Sequence, residues 1–134
     1  MKLALRLMDT NVVSFVLKGH TLGRRYRAHL QGHQLAVAFM TEGELFEWGF
    51  SARWSKSRFA QLEALLDGLD IVPSSADIDR RWAAIRFERR HQPISVADAW
   101  IAATALVHGY ELVTHNPEDF QGIRGLTIIS EATP

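Results

Sequence analysis

Asp9, Glu44 and Asp98 stand in matching local contexts, and those contexts suggest shared chemistry. Asp98 lies three residues beyond Ser95 near the start of an apolar helix predicted over 93–106 (PISVADAWIAATAL). Glu44 lies three beyond Thr41, ahead of Leu45, Phe46, Trp48 and Phe50. Asp9 ends the apolar run 3–8 and precedes a helical segment over 11–17. Taken singly, each acid reads as a turn or capping carboxylate, since an acid three residues after a hydroxyl meets the free N–H groups and positive end of a helix. Taken together they read differently. Each sits where a strand has ended or a helix begins, and in an open parallel α/β sheet those points fall along one edge, where ligands bind. Three carboxylates gathered there repel one another unless a cation sits among them.

The elements that must position these acids follow from the apolar pattern. Residues 3–8 predict a first strand buried on both faces, because the apolar side chains hardly alternate. After the helix over 11–17 and a turn at Gly19 to Gly23, a second helix is predicted over 21–30 with Arg24, Arg25 and Arg27 outward. Residues 35–39 (LAVAF) predict a second strand, and Thr41 is expected to cap the Glu44 helix, which runs to about Ala52. A further helix starts at Ser55 or Ser57 and carries Phe59, Leu62, Leu65 and Leu66 at helical spacing. Residues 69–72 form a third strand. The amphipathic stretch 75–91 predicts a long helix with Ile78, Trp82, Ile85 and Phe87 inward and Arg80, Arg81, Arg86, Arg89 and Arg90 on its polar face. Gly109 ends the Asp98 helix, 111–114 is a fourth strand, 115–120 (HNPEDF) a loop or single helical turn, and 126–129 a fifth strand. Strands alternating with helices predict an α/β fold around a mainly parallel five-stranded sheet.

Bulk composition narrows the class. At 134 residues, the chain 1–134 is expected to be a single domain, and 47% hydrophobic with 22% charged residues argues against disorder. Fifteen basic and 15 acidic side chains cancel, so whole-molecule charge gives no sign of a nucleic-acid partner. Zero cysteines exclude disulfides and thiolate metal sites and suit a reducing, cytoplasmic location. The first residues are interrupted too soon by Arg6 and Asp9 for a signal peptide, and no stretch is long enough to span a membrane. The six histidines share no metal-like spacing. Trp48, Trp54, Trp82 and Trp100 read as core or partner-groove residues rather than base-stacking platforms. The arginines between 80 and 90 are a solvated face that can also track an RNA backbone.

The succession LALRLMDTN, TEGELFEWG, SVADAWIAATA and LVTHNPEDF resembles the PIN-domain ribonucleases over essentially the whole chain, and in length it looks like their VapC-type toxin branch. That resemblance implies a PIN-like three-layer α/β/α sandwich and an acidic pocket that holds Mg²⁺ or Mn²⁺ and cuts RNA. Carried over residue by residue, the family's acids fall on Asp9, Glu44 and Asp98. The fourth falls on Asn116 or on Asp119, which are held jointly. Asp9 and Asp98 are expected to hold the best-occupied metal, Glu44 to ligate it or orient the attacking water, and Asn116 or Asp119 to hold a second ion. Thr10, Asn11 and Thr114 would bind phosphate oxygens or support the pocket by hydrogen bonding. The resemblance further implies a small antitoxin protein as partner, seated on the aromatic helices that carry Phe46, Trp48, Phe50, Trp54 and Phe59, and a homodimer. A PIN fold that binds RNA or regulates without cutting is the alternative. A phospho-acceptor receiver domain expects a late lysine, and this chain has none after Lys56.

Overall fold

The computed structural model describes residues 5–19 and 21–132. Within them the chain forms β1 (Leu5–Met8), α1 (Thr10–Lys18), α2 (Thr21–Leu30), β2 (Gln34–Ala38), α3 (Phe39–Ser51), α4 (Lys56–Asp67) and β3 (Asp70–Val72). It continues with α5 (Ala76–Glu88), α6 (Val96–His108), β4 (Glu111–Val113), a 3-10 turn (Pro117–Phe120) and β5 (Ile128–Ile129). Leu3 and Ala4, the expected start of the first strand, lie outside the described residues.

The strands pair in the order β3-β2-β1-β4-β5, every pairing parallel. The first strand is therefore the central one, with Leu7 opposite Ala36 on one side and Leu112 on the other. Successive strand side chains leave to opposite faces, and that alternation sorts the core. Leu7, Ala36, Ala38 and Leu112 join Ile78 and Ile85 of α5 and Ala99, Ala102 and Ala103 of α6. Met8, Val37 and Val113 join Val12 and Val13 of α1, Tyr26 and Leu30 of α2, Leu45 of α3, and Leu62 and Leu66 of α4. Helices thus cover both faces and make three layers, as expected. A strand covered on both sides has no solvent face to be polar on, which is why β1 is apolar but for Arg6, whose guanidinium is paired with Glu111 at 3.2 Å.

Helix α6 buries Ala99, Ile101, Ala102, Ala103, Thr104 and Ala105, small side chains that let its backbone lie close to the sheet. Its ends obey local rules. Ser95 Oγ accepts the Asp98 N–H at 3.0 Å, and Gly109 closes the helix at φ 71°.

Elsewhere local signals are overridden. The Glu44 helix starts at Phe39 rather than after Thr41, its N-cap is Ala38, and that residue makes no side-chain cap bond. Phe39 turns onto Trp100, ring centroids 5.6 Å apart, and burying an aromatic side chain outweighs a cap worth about 1 kcal/mol. Thr41 is left fully buried inside the first turn. Phe87, expected inward, is 65% exposed. The inward stripe of α5 runs Ile78, Trp82 and Ile85, and Phe87 falls off it. Gly23 belongs to a helix rather than a turn: a Cβ there would stand 2.5 Å from the Phe15 carbonyl oxygen, so glycine is what lets α2 cross α1 in direct contact.

Candidate active site

Asp9 follows β1 directly and caps α1. Its Oδ1 accepts the Thr10 N–H at 2.8 Å, its Oδ2 accepts the Thr114 hydroxyl at 2.7 Å, and only 5% of the residue is exposed. Its own N–H donates to the Val113 carbonyl at 2.9 Å, carrying the β1–β4 pairing one step past the strand. Glu44 sits one and a half turns into α3, where Oε1 accepts the Thr10 hydroxyl at 2.8 Å. Thr10 Oγ1 also lies 3.0 Å from Thr41 Oγ1. A hydroxyl has one proton to give, so Thr10 donates to Glu44 and Thr41 donates to Thr10. Asp98 is the third residue of α6, with Ser95 as its cap. Past β4, the Asn116 N–H donates to Thr114 Oγ1 at 3.0 Å, and the Asp119 N–H donates to the Asn116 carbonyl at 3.1 Å.

Two helix starts, the second turn of α3 and one loop thereby converge. Asp9, Thr10, Asn11, Glu44, Asp98, Asn116 and Asp119 line one recess of about 270 Å³, with Ser95 and Ala97 completing it. The structure gathers the residues singled out from the sequence, with Thr114 buried behind Asp9 as its anchor. None of the lining residues is basic.

The carboxyl groups register that imbalance. Burial pushes the Asp9 carboxyl up to about 6; the Thr114 hydroxyl and Thr10 amide pull against this, while the charges of Asp98 and Glu44 add to it. Burial raises Glu44 too, the Thr10 hydroxyl lowers it, and Asp98 and Glu47 raise it further. Asp98 is raised by burial and by Asp119, with Ser95 opposing. Each acid feels at least one other, and among the described residues no cation lines the recess to relieve them.

The family model described as the PIN domain matches residues 6–126. The chain belongs to the PIN domain family. It is 26% identical over 124 residues to a protein named Ribonuclease VapC1 from Haemophilus influenzae, covering 90% of this chain and 92% of that one. It is 25% identical over 122 residues to a protein named tRNA(fMet)-specific endonuclease VapC from Shigella flexneri, with coverage of 90% and 92%. Among solved structures, a toxin-antitoxin complex from Klebsiella pneumoniae contains a chain of 27% identity that superimposes with a TM-score of 0.76 over 93% of this chain and 96% of that one.

The PIN recess suits a hard divalent cation by its donors, which are carboxylate, amide and hydroxyl oxygens. Among the described residues, no group of three or more His, Asp or Glu side chains closes into a cage able to hold an ion. Mg²⁺ does not require one. It dehydrates reluctantly, keeps several waters, and is bound through one or two carboxylates and substrate phosphates.

Three residues that support this PIN site carry roles the sequence did not announce. Thr41 reads as a cap and is instead the donor that orients Thr10. Tyr26, fully buried, holds its hydroxyl 2.6 Å from His115 Nδ1 and 3.3 Å from the Thr114 carbonyl, and it accepts the Glu131 N–H at 3.0 Å, so one phenol ties α2 to the loop beside Asp9. Arg89 donates from Nη1 to the carbonyls of Asp119 and Gln121 and from Nε to that of Gln92. The sequence placed it on the polar face of a longer helix, whereas α5 ends at Glu88 and Arg89 is its C-cap, turned onto the loop and the 3-10 turn. The five aromatic residues expected to line a partner groove pack largely on one another: Phe46 stacks on Phe59 and Trp48 meets Trp54 at 4.7 Å, while Phe50 is 71% exposed.

Proposed function

We propose that this PIN domain is a metal-dependent endoribonuclease, the toxin of a toxin-antitoxin pair, working through the recess that joins Asp9, Glu44, Asp98 and Asp119. The observation that carries this reading is the recess itself: acids held at the carboxyl edge of a parallel sheet, raised by burial and further by one another's charge, with no basic residue lining them. Similarity to proteins named as ribonucleases supports RNA as substrate, and similarity to a chain of a toxin-antitoxin complex supports a small antitoxin as partner. A second copy of the chain is the other partner proposed. A PIN fold that only bound RNA would have no need to keep three carboxylates against one another's charge.

Asp9 and Asp98 would hold Mg²⁺ or Mn²⁺, with Asn116 or Asp119 serving a second ion. When bound, such an ion supplies a Lewis acid that neutralises phosphate charge and acidifies a water ligand. The protein's part is positioning. Thr10 N–H and the Thr114 hydroxyl fix both oxygens of Asp9, so its orientation is set before substrate arrives. Thr10 holds Glu44 Oε1, leaving Oε2 to orient the attacking water and accept its proton, a task suited to a carboxylate whose basicity burial raises. Asn11 and Thr10, both at the rim of the recess, are the proposed contacts to phosphate oxygen.

The test is cleavage of purified tRNA and total RNA by the purified protein with Mg²⁺, with Mn²⁺ and with excess chelator, beside an Asp98→Asn preparation. Cutting that needs metal and Asp98 supports the reading. Cutting that survives both changes overturns it.

A further inference from the structure

The acidic recess does not stand alone. On one side it shares Thr10, Asn11 and Glu44 with a groove of about 560 Å³ between α1 and α3, which also carries Lys18, Glu47 and Trp48. On the other side it shares Ser95, Asp98 and Asp119 with a cleft of about 460 Å³ between the α5–α6 loop and the 3-10 turn, which carries Arg89, Gln92 and Glu118. Both are of a size that holds a small ligand, roughly 300–1,000 Å³. The three form a continuous depression, acidic at its centre, with a single basic residue in each outer part.

Both bases are held in place. Lys18 Nζ lies 4.5 Å from the centre of the Trp48 ring, a contact that keeps the ammonium on the wall of the groove. Arg89 spends Nε and Nη1 on three carbonyls of the loop and the turn, which fixes the plane of its guanidinium, and among the described residues Nη2 donates to none. Arg86 and Arg90 line a recess that adjoins the Arg89 cleft, whereas Arg80 and Arg81 line a separate one on α5 and α6.

A phosphodiester chain entering the central recess meets several carboxylates at once. Its flanking phosphates need cations on both sides, and the chain offers one on each. We propose that a single RNA strand lies along this depression, with Lys18 and Arg89 contacting the phosphates on opposite sides of the one placed over Asp9 and Asp98. Taking RNA as the strand rests on the nuclease reading above. Lys18 and Arg89 are phosphate contacts here rather than catalytic residues, and Glu47 and Glu118 oppose them from the same walls.

Neutralising one phosphate contact on a single strand lowers the slope of log affinity against log salt by about 0.7. The experiment measures fluorescence anisotropy of a labelled single-stranded 12-nucleotide RNA of mixed sequence over a series of salt concentrations, in chelator so that nothing is cut. Lys18→Gln and Arg89→Gln should each weaken binding roughly three- to tenfold and flatten the slope by about 0.7, the pair by about twice that. Lys18→Arg and Arg89→Lys, which keep the charge, should restore the slope, an outcome that a merely structural role for Arg89 does not produce. Arg80→Gln/Arg81→Gln should leave the slope unchanged. Unchanged slopes in the Lys18 and Arg89 variants, an equal loss in the Arg80/Arg81 control, or no binding by the parent protein overturns the proposal. Binding with these slopes in a protein that cuts nothing when Mg²⁺ is restored supports the track and removes the nuclease reading, so the two fail separately.

Discussion

Thr114 and Asp9 are 105 positions apart in the chain, and the hydroxyl of one donates to the carboxylate of the other at 2.7 Å. Thr114 is fully buried and its oxygen also accepts the Asn116 N–H, so one side chain aligns the acid at the end of β1 with the loop after β4.

Thr114→Val keeps the shape and removes that donor. A hydrogen bond to a charged group is worth about 1.5–3 kcal/mol, so the variant should unfold earlier by that order. Its Mg²⁺ requirement for cleavage should rise about 10- to 100-fold, as for other residues that orient a metal-binding carboxylate. Thr114→Ser should recover most of both losses. Melting curves and Mg²⁺ titrations of activity read the two effects, and a Thr114→Val protein with the parent's Mg²⁺ dependence would contradict the role given to the hydroxyl.

Burial of Asp9 makes a prediction about pH. Its folded value near 6 lies above the ordinary 3.8, so between those values the folded chain holds a proton that the unfolded chain releases. The contribution of Asp9 to metal-free stability is therefore greatest below about pH 4 and falls away as pH rises through about 6, by up to about 3 kcal/mol. Urea unfolding in chelator, parent against Asp9→Asn, isolates this contribution: the variant should gain on the parent from about pH 4 to about pH 7. A constant difference across that range would show that the carboxyl is not strained by its burial.

The repulsion within the recess gives a second stability test. Asp98→Asn should raise the melting temperature of the metal-free protein and lose most of the further rise that Mg²⁺ gives the parent. If Asp98 acted only at the positive end of α6, the change would instead cost a few tenths to about 1 kcal/mol, and the parent would be indifferent to Mg²⁺.

The fourth position divides between Asn116 and Asp119, both on the recess wall. Asp119 is exposed, and its charge reaches Asp98, whereas Asn116 is half-buried. Asp119→Asn should cost less activity than Asp9→Asn or Asp98→Asn under saturating Mg²⁺. Equal and complete loss would make Asp119 a ligand in its own right.

How much of this was legible depended on whether the deciding contact was local. Ser95 and Asp98 are three residues apart, and their relation follows from backbone geometry alone, so sequence reading placed both. The apolar run ending at Asp9, broken by Arg6 alone, likewise announced a strand buried on both faces. Thr41 and Glu44 have the same spacing as Ser95 and Asp98, yet there the packing of Phe39 on Trp100 pulled the helix start back to Phe39 and turned the supposed cap into a buried donor. Tyr26 and Arg89 were missed because their polar ends find partners on distant elements, His115 in one case and the 3-10 turn in the other. Tyr26 lies on the buried side of α2, where a polar residue asks for a partner, whereas Arg89 stands past the end of α5, where helical spacing no longer says which way a side chain turns.

The order of the sheet also sets a clock. β1 is made first, but one of its neighbours, β4, begins 105 residues later, where Glu111 stands opposite Arg6. At roughly 5–20 residues per second of synthesis, Asp9 waits about 5–20 s for Thr114. A growing chain therefore carries Asp9 and Glu44 well before Asp98 or Thr114 exists, and no shorter nascent fragment contains the recess.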